Sequence, residues 1–328
     1  MSNGKTLIRG ALILTLTGFF SRIMGFFYRI FLSRAIGAEG MGIYQLIFPL
    51  YSLCFAFTVA GLQTVLSRFI AGKLALNDRK SAQDSLVTGV FLSFLLSMIA
   101  GGLLFSFARP LSLFFLKEPR CIPLLQMLAF CVPLGTVHAC LSAWYYARKK
   151  TGVPSLCQLL EQLARILSSI LVYLILTEQG LPVTPLLAVI GILAGETVSA
   201  LVSLIAVSLD FQKHAYVLFH LEHPLSYARM LLLPAAPLSA NRILLTLLQS
   251  LESVLIPGRL LLFGLSTSAA LSIYGVLTGM SLPLILFPCA ITNAVSLMLL
   301  PTVAEEQAKG NQKVIVFTVE NTIRYCLI

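Results

Sequence analysis

The amino-acid sequence predicts an all-α protein that crosses a membrane many times, and three observations support this fold class. Of the 328 residues, 58% are hydrophobic and 11% are charged, whereas soluble domains have about 25% charged residues. The apolar runs continue for about 20 residues or more, the length of a membrane-spanning helix, and they lack the short alternation of a membrane β-barrel. Basic residues lie between these runs, as loop charges do in membrane proteins. This distribution also argues against a nucleic-acid partner, despite a formal net charge of +10.

Nine apolar segments are predicted to be helices. The first eight are each long enough to cross a bilayer, and they lie at residues 7–36, 41–71, 86–108, 121–146, 153–177, 184–209, 229–256 and 267–301. The ninth begins near Val314 and has 15 residues before the chain ends at Ile328, fewer than the roughly 20 of a full crossing. We therefore expect this chain to be a fragment or a naturally shortened protein.

The loop charges predict which side of the membrane the N-terminus faces. With a cytoplasmic N-terminus, the cytoplasmic segments hold thirteen Lys and Arg residues and the opposite segments hold five. The thirteen are Lys5, Arg9, Arg68, Lys73, Arg79, Lys80, Arg148, Lys149, Lys150, Lys213, Arg229, Lys309 and Lys313, and the five are Arg34, Arg109, Lys117, Arg120 and Arg259. Since positive residues concentrate in cytoplasmic loops, the sequence predicts a multi-pass cell-membrane protein with its N-terminus in the cytoplasm.

Spans one and two resemble spans seven and eight, which indicates an internal repeat of about six helices. Ser21-Arg22-Ile23 recurs as Asn241-Arg242-Ile243, and GIYQLI at 42–47 recurs as SIYGVL at 272–277. A repeat with an even number of helices keeps its topology, so we expect two lobes related by an axis along the membrane normal. The predicted organisation is a six-helix lobe at 1–210, an interfacial cytoplasmic linker at 211–228, and part of a second, pseudo-twofold-related lobe at 229–328, holding helices 7 and 8 and the start of 9.

Two arginines lie inside the first span, where a charged side chain that faces lipid is costly. Arg22 is about 15 residues into the span, roughly 22 Å along a helix that rises about 1.5 Å per residue, so its side chain lies too deep to reach an interface easily. Arg29 lies two turns further on, so both arginines share a face with Gly25, and Ser21 stands beside them. Either they form structural ion pairs or an interfacial anchor, or they line a solvated cavity opposite Arg242. In such a cavity the guanidinium groups would bind a diphosphate bidentately.

Acidic residues inside the spans indicate a second feature. Glu161 and Arg165 are four residues apart in span five, the spacing of an intrahelical ion pair. Glu196 in span six and Glu252 in span seven have no local partner. Each of these two either pairs with an arginine on another helix or serves as a proton or cation site in a coupled cycle.

No motif indicates a metal, a cofactor or an enzymatic site. Asp210, His214, His220, Glu222 and His223 cluster near the linker, but their spacing matches no zinc pattern. We expect this segment to be an amphipathic connection between the lobes. The seven cysteines are scattered and form no CxxC pair, so they are interpreted as small buried hydrophobic residues. We therefore expect a protein that is not an enzyme and has no cofactor.

The stretch SRIMGFFYRIFLSRAIGAEGMGIYQL at 21–46 resembles the stage V sporulation protein B group. These proteins are polysaccharide-biosynthesis exporters of the MATE-like multidrug/oligosaccharidyl-lipid/polysaccharide (MOP) superfamily, which includes the lipid II flippases. Its members resemble one another in a Ser-Arg-x-x-Gly pattern on the first helix, followed by a second basic residue. Ser21, Arg22, Gly25 and Arg29 match that pattern here. The likeness continues through LLLPAAPLSANRILLTLLQSLESVLIPGRL at 231–260 to the ninth span.

The resemblance implies a MATE-like flippase that moves an undecaprenyl-diphosphate-linked glycan, such as a peptidoglycan or spore-cortex precursor, by alternating access. It implies a lipid-linked oligosaccharide substrate, membrane lipids, and cell-wall or spore-cortex synthesis proteins as partners. Span eight departs from the lipid II flippases, because it lacks the arginine that they carry there. Two other functions stay open: a cation-coupled multidrug exporter of the same superfamily, and a non-transporting scaffold for cell-wall assembly.

Overall fold

The computed structural model describes residues 2–148, 150–213, 224–286 and 312–327, and within these ranges the chain forms helices and turns without a strand. Among the described residues, seven helical stretches are long and apolar enough to cross a membrane. One of the seven, Ile13–Ala75, has 63 residues and covers both of the first two predicted spans. The predicted all-α fold with many membrane-length helices is confirmed.

Eleven helices are described. They are α1 Ser2–Phe55, α2 Gly61–Ala75, α3 Arg79–Ser106, α4 Ala108–Pro110, α5 Cys121–Ala147, α6 Gly152–Glu178, α7 Leu186–Gln212, α8 Pro224–Leu262, α9 Thr267–Tyr274, α10 Leu282–Ile285 and α11 Gln312–Leu327. Three π-helical turns, Ala56–Ala60, Leu111–Phe115 and Gly275–Ser281, lie between helices. Such turns occur frequently at functional sites.

The first two predicted spans are continuous in α1 but are separated by a sharp kink at Gly37. Gly37 has φ 72° and ψ 179°, a left-handed conformation that glycine adopts without steric cost. The chain therefore reverses direction without a loop, and the second span continues through the π turn Ala56–Ala60 into α2. We call this end of the bundle the Gly37 end, and the opposite end, where α2 turns into α3, the Asp78 end.

The main apolar core lies where α5 passes α1 and α7. Leu125 and Leu128 of α5 are buried and belong to one cluster with Ile47 of α1 and Ile192 of α7. Trp144 of α5 and Phe211 of α7 form part of a second cluster at the Asp78 end. The helices of the first predicted lobe therefore form one packed bundle.

Helices α8 and α9 pack against α1 and α2 through close backbone contacts. A Cβ atom at Gly42 of α1 would overlap the carbonyl oxygen of Leu271 in α9. A Cβ atom at Gly275 would overlap the carbonyl oxygen of Ala38, and one at Gly61 would overlap that of Ala235 in α8. Small residues let membrane helices approach closely, so glycine is required at these three crossings.

A polar contact joins the same two regions at the Gly37 end. The Glu39 carboxylate accepts a hydrogen bond from Ser268 of α9 at 2.8 Å. The other Glu39 oxygen pairs with Arg120 at 2.7 Å, and Arg120 also pairs with Glu118 at 2.7 Å. This end of the interface is therefore held by both backbone packing and charge.

Parts of the predicted organisation lie outside the described residues. In the linker, α7 ends at Gln212 and α8 begins at Pro224, and His214, His220, Glu222 and His223 lie outside the described ranges. Beyond α10 the remainder of the predicted eighth span also lies outside them. The predicted ninth helix corresponds to α11, whose apolar side chains Val316 and Phe317 are 50% and 68% exposed. The division into two pseudo-symmetric lobes stays a prediction of the sequence.

Candidate functional site

A cavity of about 600 Å³ lies between the first bundle and α8. The second membrane span forms one wall, through the end of α1, the π turn Ala56–Ala60 and the start of α2. Helices α6 and α7 contribute from one side and α8 from the other. The polar residues that line the cavity are Tyr51, Ser52, Gln63, Thr64, Arg165, Glu196, Arg242, Thr246 and Gln249.

On the bundle side, the cavity wall contains a connected set of charges that are buried or partly buried. Arg165 and Glu161 of α6 form an ion pair with 2.5 Å between Nη2 and Oε1, so the ion pair expected from their spacing is present. Glu196 of α7 is 8% exposed, and its Oε1 accepts a hydrogen bond from the Tyr51 hydroxyl at 3.1 Å. Glu196 also lies close enough to Glu161 and Arg165 to interact with both electrostatically. Three helices therefore meet at one charged cluster.

Gly195 allows α6 and α7 to bring these side chains together. A Cβ atom at Gly195 would lie 2.9 Å from the Glu161 carbonyl oxygen and 3.5 Å from the Arg165 Cβ. A larger residue would force the two helices apart, because 2.9 Å is shorter than van der Waals contact. The position of Glu196 beside the ion pair thus depends on its glycine neighbour.

On the opposite side, α8 presents a polar stripe to the cavity. Arg242, Thr246 and Gln249 recur at four and three residues, so they lie on one face of the helix and all three line the cavity. The Arg242 side chain is exposed and forms no ion pair with a described residue. The Thr246 hydroxyl donates to the Arg242 carbonyl oxygen at 2.9 Å. The guanidinium group is therefore available to an anion in the cavity.

The arginines of the first span occupy a different place. Arg22 and Arg29 are exposed and are not among the residues that line this cavity. A Cβ atom at Gly25, which lies between them, would be 3.6 Å from the Gln162 amide nitrogen of α6, and Ser21 is half-buried on the same helix. Arg29 and Arg165 are both close enough to Tyr44 to interact electrostatically with it. Arg242 thus shares a cavity with Arg165 rather than with Arg22.

The remaining candidates do not join the cavity. Glu252 is exposed on α8 and interacts electrostatically with Tyr274. Within the described residues, no group of three His, Cys, Asp or Glu side chains could hold a metal ion. His138 is instead hydrogen-bonded to Ser199 and Ser203, each at 2.8 Å.

Two side chains of the candidate site went unrecognised in the sequence. Tyr51 binds Glu196, and Gln63 lines the cavity while its amide donates to the Ala139 carbonyl oxygen at 2.9 Å. A signal for Tyr51 does exist, because Tyr44 and Tyr51 are seven residues apart and share a helix face. No signal in the sequence could indicate that this face meets Glu196.

The arrangement offers groups that can bind an anion together with a proton or a cation. It combines two guanidinium groups on facing walls, one buried carboxylate, and several hydroxyl and amide groups in a space that several helices delimit. Guanidinium groups bind phosphate oxygens in a bidentate manner. A carboxylate in such a site can bind a proton or a cation.

Comparison with known proteins identifies relatives along almost the whole chain. A family model described as polysaccharide biosynthesis protein matches residues 7–306. The chain is 26% identical over 328 residues to stage V sporulation protein B of Bacillus subtilis (strain 168), covering 99% of this chain and 63% of that protein. It is 22% identical to the lipid II flippase MurJ of the same organism, covering 98% of this chain and 62% of that protein. The chain thus spans slightly less than two thirds of the length of these two relatives.

Solved structures share the fold. The crystal structure of MATE in complex with Br-NRF matches with a TM-score of 0.56 at 17% identity, over 98% of this chain and 72% of that one. An inward-facing multidrug resistance MATE family transporter of the MOP superfamily matches with a TM-score of 0.52 at 14% identity, over 98% of this chain and 66% of that one. The MATE-like fold that the sequence resemblance implied is therefore confirmed.

Proposed function

Because this chain belongs to the polysaccharide biosynthesis protein family, we propose that it acts as a flippase or exporter for a glycan linked to undecaprenyl diphosphate. The cargo would be a peptidoglycan or spore-cortex precursor, and translocation would occur by alternating access. The family, the multi-pass helical fold and the relatives named above support a role in transport. The activity does not require the protein to break a covalent bond in its cargo.

The observation that carries this proposal is the cavity with arginines on facing walls. Arg242 projects from α8 without a protein partner among the described residues, and Arg165 lines the opposite wall beside Glu161. A diphosphate has several oxygens that a guanidinium fork can bind in pairs. Arg22 and Arg29 are proposed to supply further positive charge to the head group along the first span, with Gly25 and Ser21 leaving room between them.

Glu196 is proposed to couple transport to a proton or a cation. Its carboxylate lines the same cavity as Arg242, and its direct hydrogen bond comes from a tyrosine rather than from an arginine. Glu161, in contrast, is held by Arg165 and is assigned a structural role. Binding of a proton or a cation to Glu196 would change the charge beside Arg165, and hence the affinity of the cavity for an anionic head group.

A binding experiment tests the proposal directly. The chain is purified in detergent and titrated with a labelled disaccharide carried on a short polyprenyl diphosphate. Hydrogen bonds to charged groups contribute about 1.5–3 kcal/mol, so Arg242→Ala is expected to weaken binding by roughly ten- to a hundredfold. Arg242→Lys keeps the charge but loses the fork, and it should give an intermediate affinity.

The matched control is Arg259→Ala, which removes the same side chain from an exposed position on the same helix outside the cavity. Its affinity should equal that of the unsubstituted chain. Equal binding by the Arg242→Ala and Arg259→Ala variants would overturn the assignment of the cavity. Translocation is then measured in proteoliposomes with a fluorescent cargo and a membrane-impermeant quencher.

A multidrug exporter is the second candidate, and the carboxylate of Glu196 in the cavity favours it. An organic cation would bind that carboxylate, whereas the lipid diphosphate would bind the arginines. Under this alternative, Glu196→Gln abolishes binding of a fluorescent organic cation and Arg242→Ala strengthens it. Under the flippase proposal, the cation does not compete with the polyprenyl diphosphate.

A further inference from the structure

A second polar cavity lies at the Asp78 end of the bundle, away from the cavity that Arg242 lines. It has a volume of about 410 Å³ and is formed by the end of α2, the start of α3 and the end of α5. Three basic residues line it, namely Arg79, Arg148 and Lys150. The loop charges predict that this end of the bundle faces the cytoplasm. We call this cavity the basic pocket.

The polar groups of the basic pocket are arranged to receive an anion. Arg148 pairs with Asp210 and stacks over the Trp144 ring at 5.2 Å, and the indole N–H donates to the same Asp210 carboxylate at 2.8 Å. Asp210 is therefore held on the far side of the arginine by two donors. Lys150 adds a further positive charge, and Arg79, which also interacts within the chain, lines the pocket beside it.

Gln83 provides an independent indication of a ligand. It lines the basic pocket and is only 5% exposed, yet its side-chain amide has no hydrogen-bond partner among the described residues. The Gln83 amide is not among the fully buried polar atoms that lack a partner, so it is accessible from the pocket. A ligand with acceptor oxygens in the pocket would satisfy its N–H group.

An apolar groove of about 550 Å³ lies next to the basic pocket on the bundle. On α3 the pocket residue Gln83 is followed by the groove residues Val87, Val90 and Phe94 at spacings of four, three and four, which form one continuous helix face. On α5 the groove residue Leu141 lies three residues before the pocket residue Trp144, on the same helix face.

Helix α7 closes the floor of the groove. Phe211 lines the groove, and its ring lies 5.4 Å from the ring of Trp144 in the pocket. The groove and the basic pocket share no lining residue, but this ring contact places them side by side, with basic groups in one and hydrocarbon side chains in the other.

We propose that this surface is a binding site for an anionic phospholipid. The phosphate group occupies the basic pocket beside Arg79, Lys150 and the Gln83 amide, and an acyl chain lies in the groove over Val90 and Phe94. The groove distinguishes this ligand from a free phosphate, because a soluble anion would leave the apolar extension empty. The site goes beyond the proposed transport function and does not depend on it.

Trp144 gives a direct readout, because it is the single tryptophan of the chain and it lines the pocket. The chain in neutral detergent is titrated with dioctanoyl phosphatidylglycerol while tryptophan emission is followed. A saturable change in tryptophan emission is expected with this lipid. Dioctanoyl phosphatidylcholine should bind at least about fivefold more weakly, since each basic residue near an anionic lipid contributes about 1 kcal/mol. Inorganic phosphate at the same concentration should produce no saturable change.

Variants separate the two parts of the site. Lys150→Gln and Arg79→Gln should each weaken phosphatidylglycerol binding by about fivefold, and both residues are exposed, so the fold should be retained. Arg109→Gln removes the same charge from an exposed position at the Gly37 end and should have no effect. Val90→Phe fills the groove and should weaken binding of the dioctanoyl lipid more than that of the dihexanoyl lipid.

Several outcomes would overturn the proposal. Equal responses to phosphatidylglycerol and phosphatidylcholine, or unchanged titrations of both pocket variants, would show that the basic pocket does not select an anionic lipid. A saturable emission change with inorganic phosphate alone would show that the groove is not needed for binding. A response to undecaprenyl phosphate without one to phosphatidylglycerol would reassign the surface to the transported lipid.

Discussion

Helix α6 of the first bundle and helix α8 of the adjoining segment carry a membrane-embedded arginine in opposite ways. In the most apolar stretches of α5 and α7, 56% and 50% of the residues are buried, against 11% in α8. Helix α6 is also only 11% buried, but the face that it does bury carries the Glu161–Arg165 ion pair. Arg242 on α8 lies in a cavity and has no such partner among the described residues.

The difference teaches how this protein accommodates arginine in a membrane. Inside the bundle the positive charge is neutralised by a carboxylate on the same helix, at the cost of desolvating both groups. On α8 the charge is retained and exposed to the cavity, so it can interact with a ligand. We expect the ion pair to contribute mainly to stability, although Arg165 also lines the cavity, and we propose that the unpaired charge of Arg242 contributes mainly to binding. The following substitutions separate the two contributions.

The largest expected effect on stability is that of Glu161→Ala. The Glu161 and Arg165 side chains are 20% and 21% exposed, so solvent compensates the orphaned charge in part, and we expect a loss of at most about 3 kcal/mol in the free energy of unfolding. The measurement is unfolding in mixed micelles of increasing SDS content. The double variant Glu161→Ala/Arg165→Leu should recover part of this loss, because it removes the orphaned charge. Glu252→Ala, on the exposed face of α8, is the matched control, and an equal loss there would contradict the comparison.

Gly275→Ala should have the next largest effect, because it acts on the junction of the two regions. The added Cβ would overlap the carbonyl oxygen of Ala38, and such overpacking costs about 1–3 kcal/mol. Thermal unfolding is followed with a thiol-reactive dye, since Cys121, Cys131, Cys140 and Cys157 are buried. Gly258→Ala on α8 meets no atom within 4 Å and should leave the transition unchanged or raise it.

Asp78→Ala tests a smaller contribution at the turn between α2 and α3. Asp78 caps α3 by accepting a hydrogen bond from the Ser81 N–H at 3.1 Å, and loss of such a cap costs about 1 kcal/mol. Hydrogen bonds from Ser81, with help from Lys73, hold the pKa of the Asp78 carboxyl below its usual range.

The lowered pKa predicts how this contribution depends on pH. The cap stabilises the fold above the unfolded pKa of about 3.9, and its contribution is lost as the pH falls through the lower folded value. The stability difference between the unsubstituted chain and Asp78→Ala should therefore begin to shrink as the pH falls below about 4, and it should disappear once the pH lies below the lowered folded pKa. A difference that persisted there would show that the cap is not the source of the effect.

The smallest effect on stability is expected for Arg242→Ala. An exposed side chain without a protein partner contributes within about 0.5 kcal/mol, so its thermal transition should match that of the unsubstituted chain. Its binding should nevertheless be impaired, as described above. A variant that unfolded easily would place Arg242 in the same structural class as Arg165 and would remove the contrast between the two regions.

The sequence by itself determined the membrane class, the helical spans and one feature of the site. A bilayer core about 30 Å thick requires long apolar helices, so helices such as α5 and α7 can be recognised in the sequence by their length and hydropathy. The Glu161–Arg165 pair followed from a spacing of four, because both partners lie on one helix. The likeness at 21–46 added the MATE-like fold.

Only the tertiary structure decided which helix faces meet. Tyr51 is hydrogen-bonded to Glu196. Arg242 and Arg165 line one cavity, and Arg22 does not line it. Spans one and two are continuous through the kink at Gly37. Each of these features depends on the rotation and crossing of helices that are distant in sequence. Packing at small residues such as Gly195 and Gly275 sets that geometry, whereas hydropathy reports only that a helix lies in the membrane.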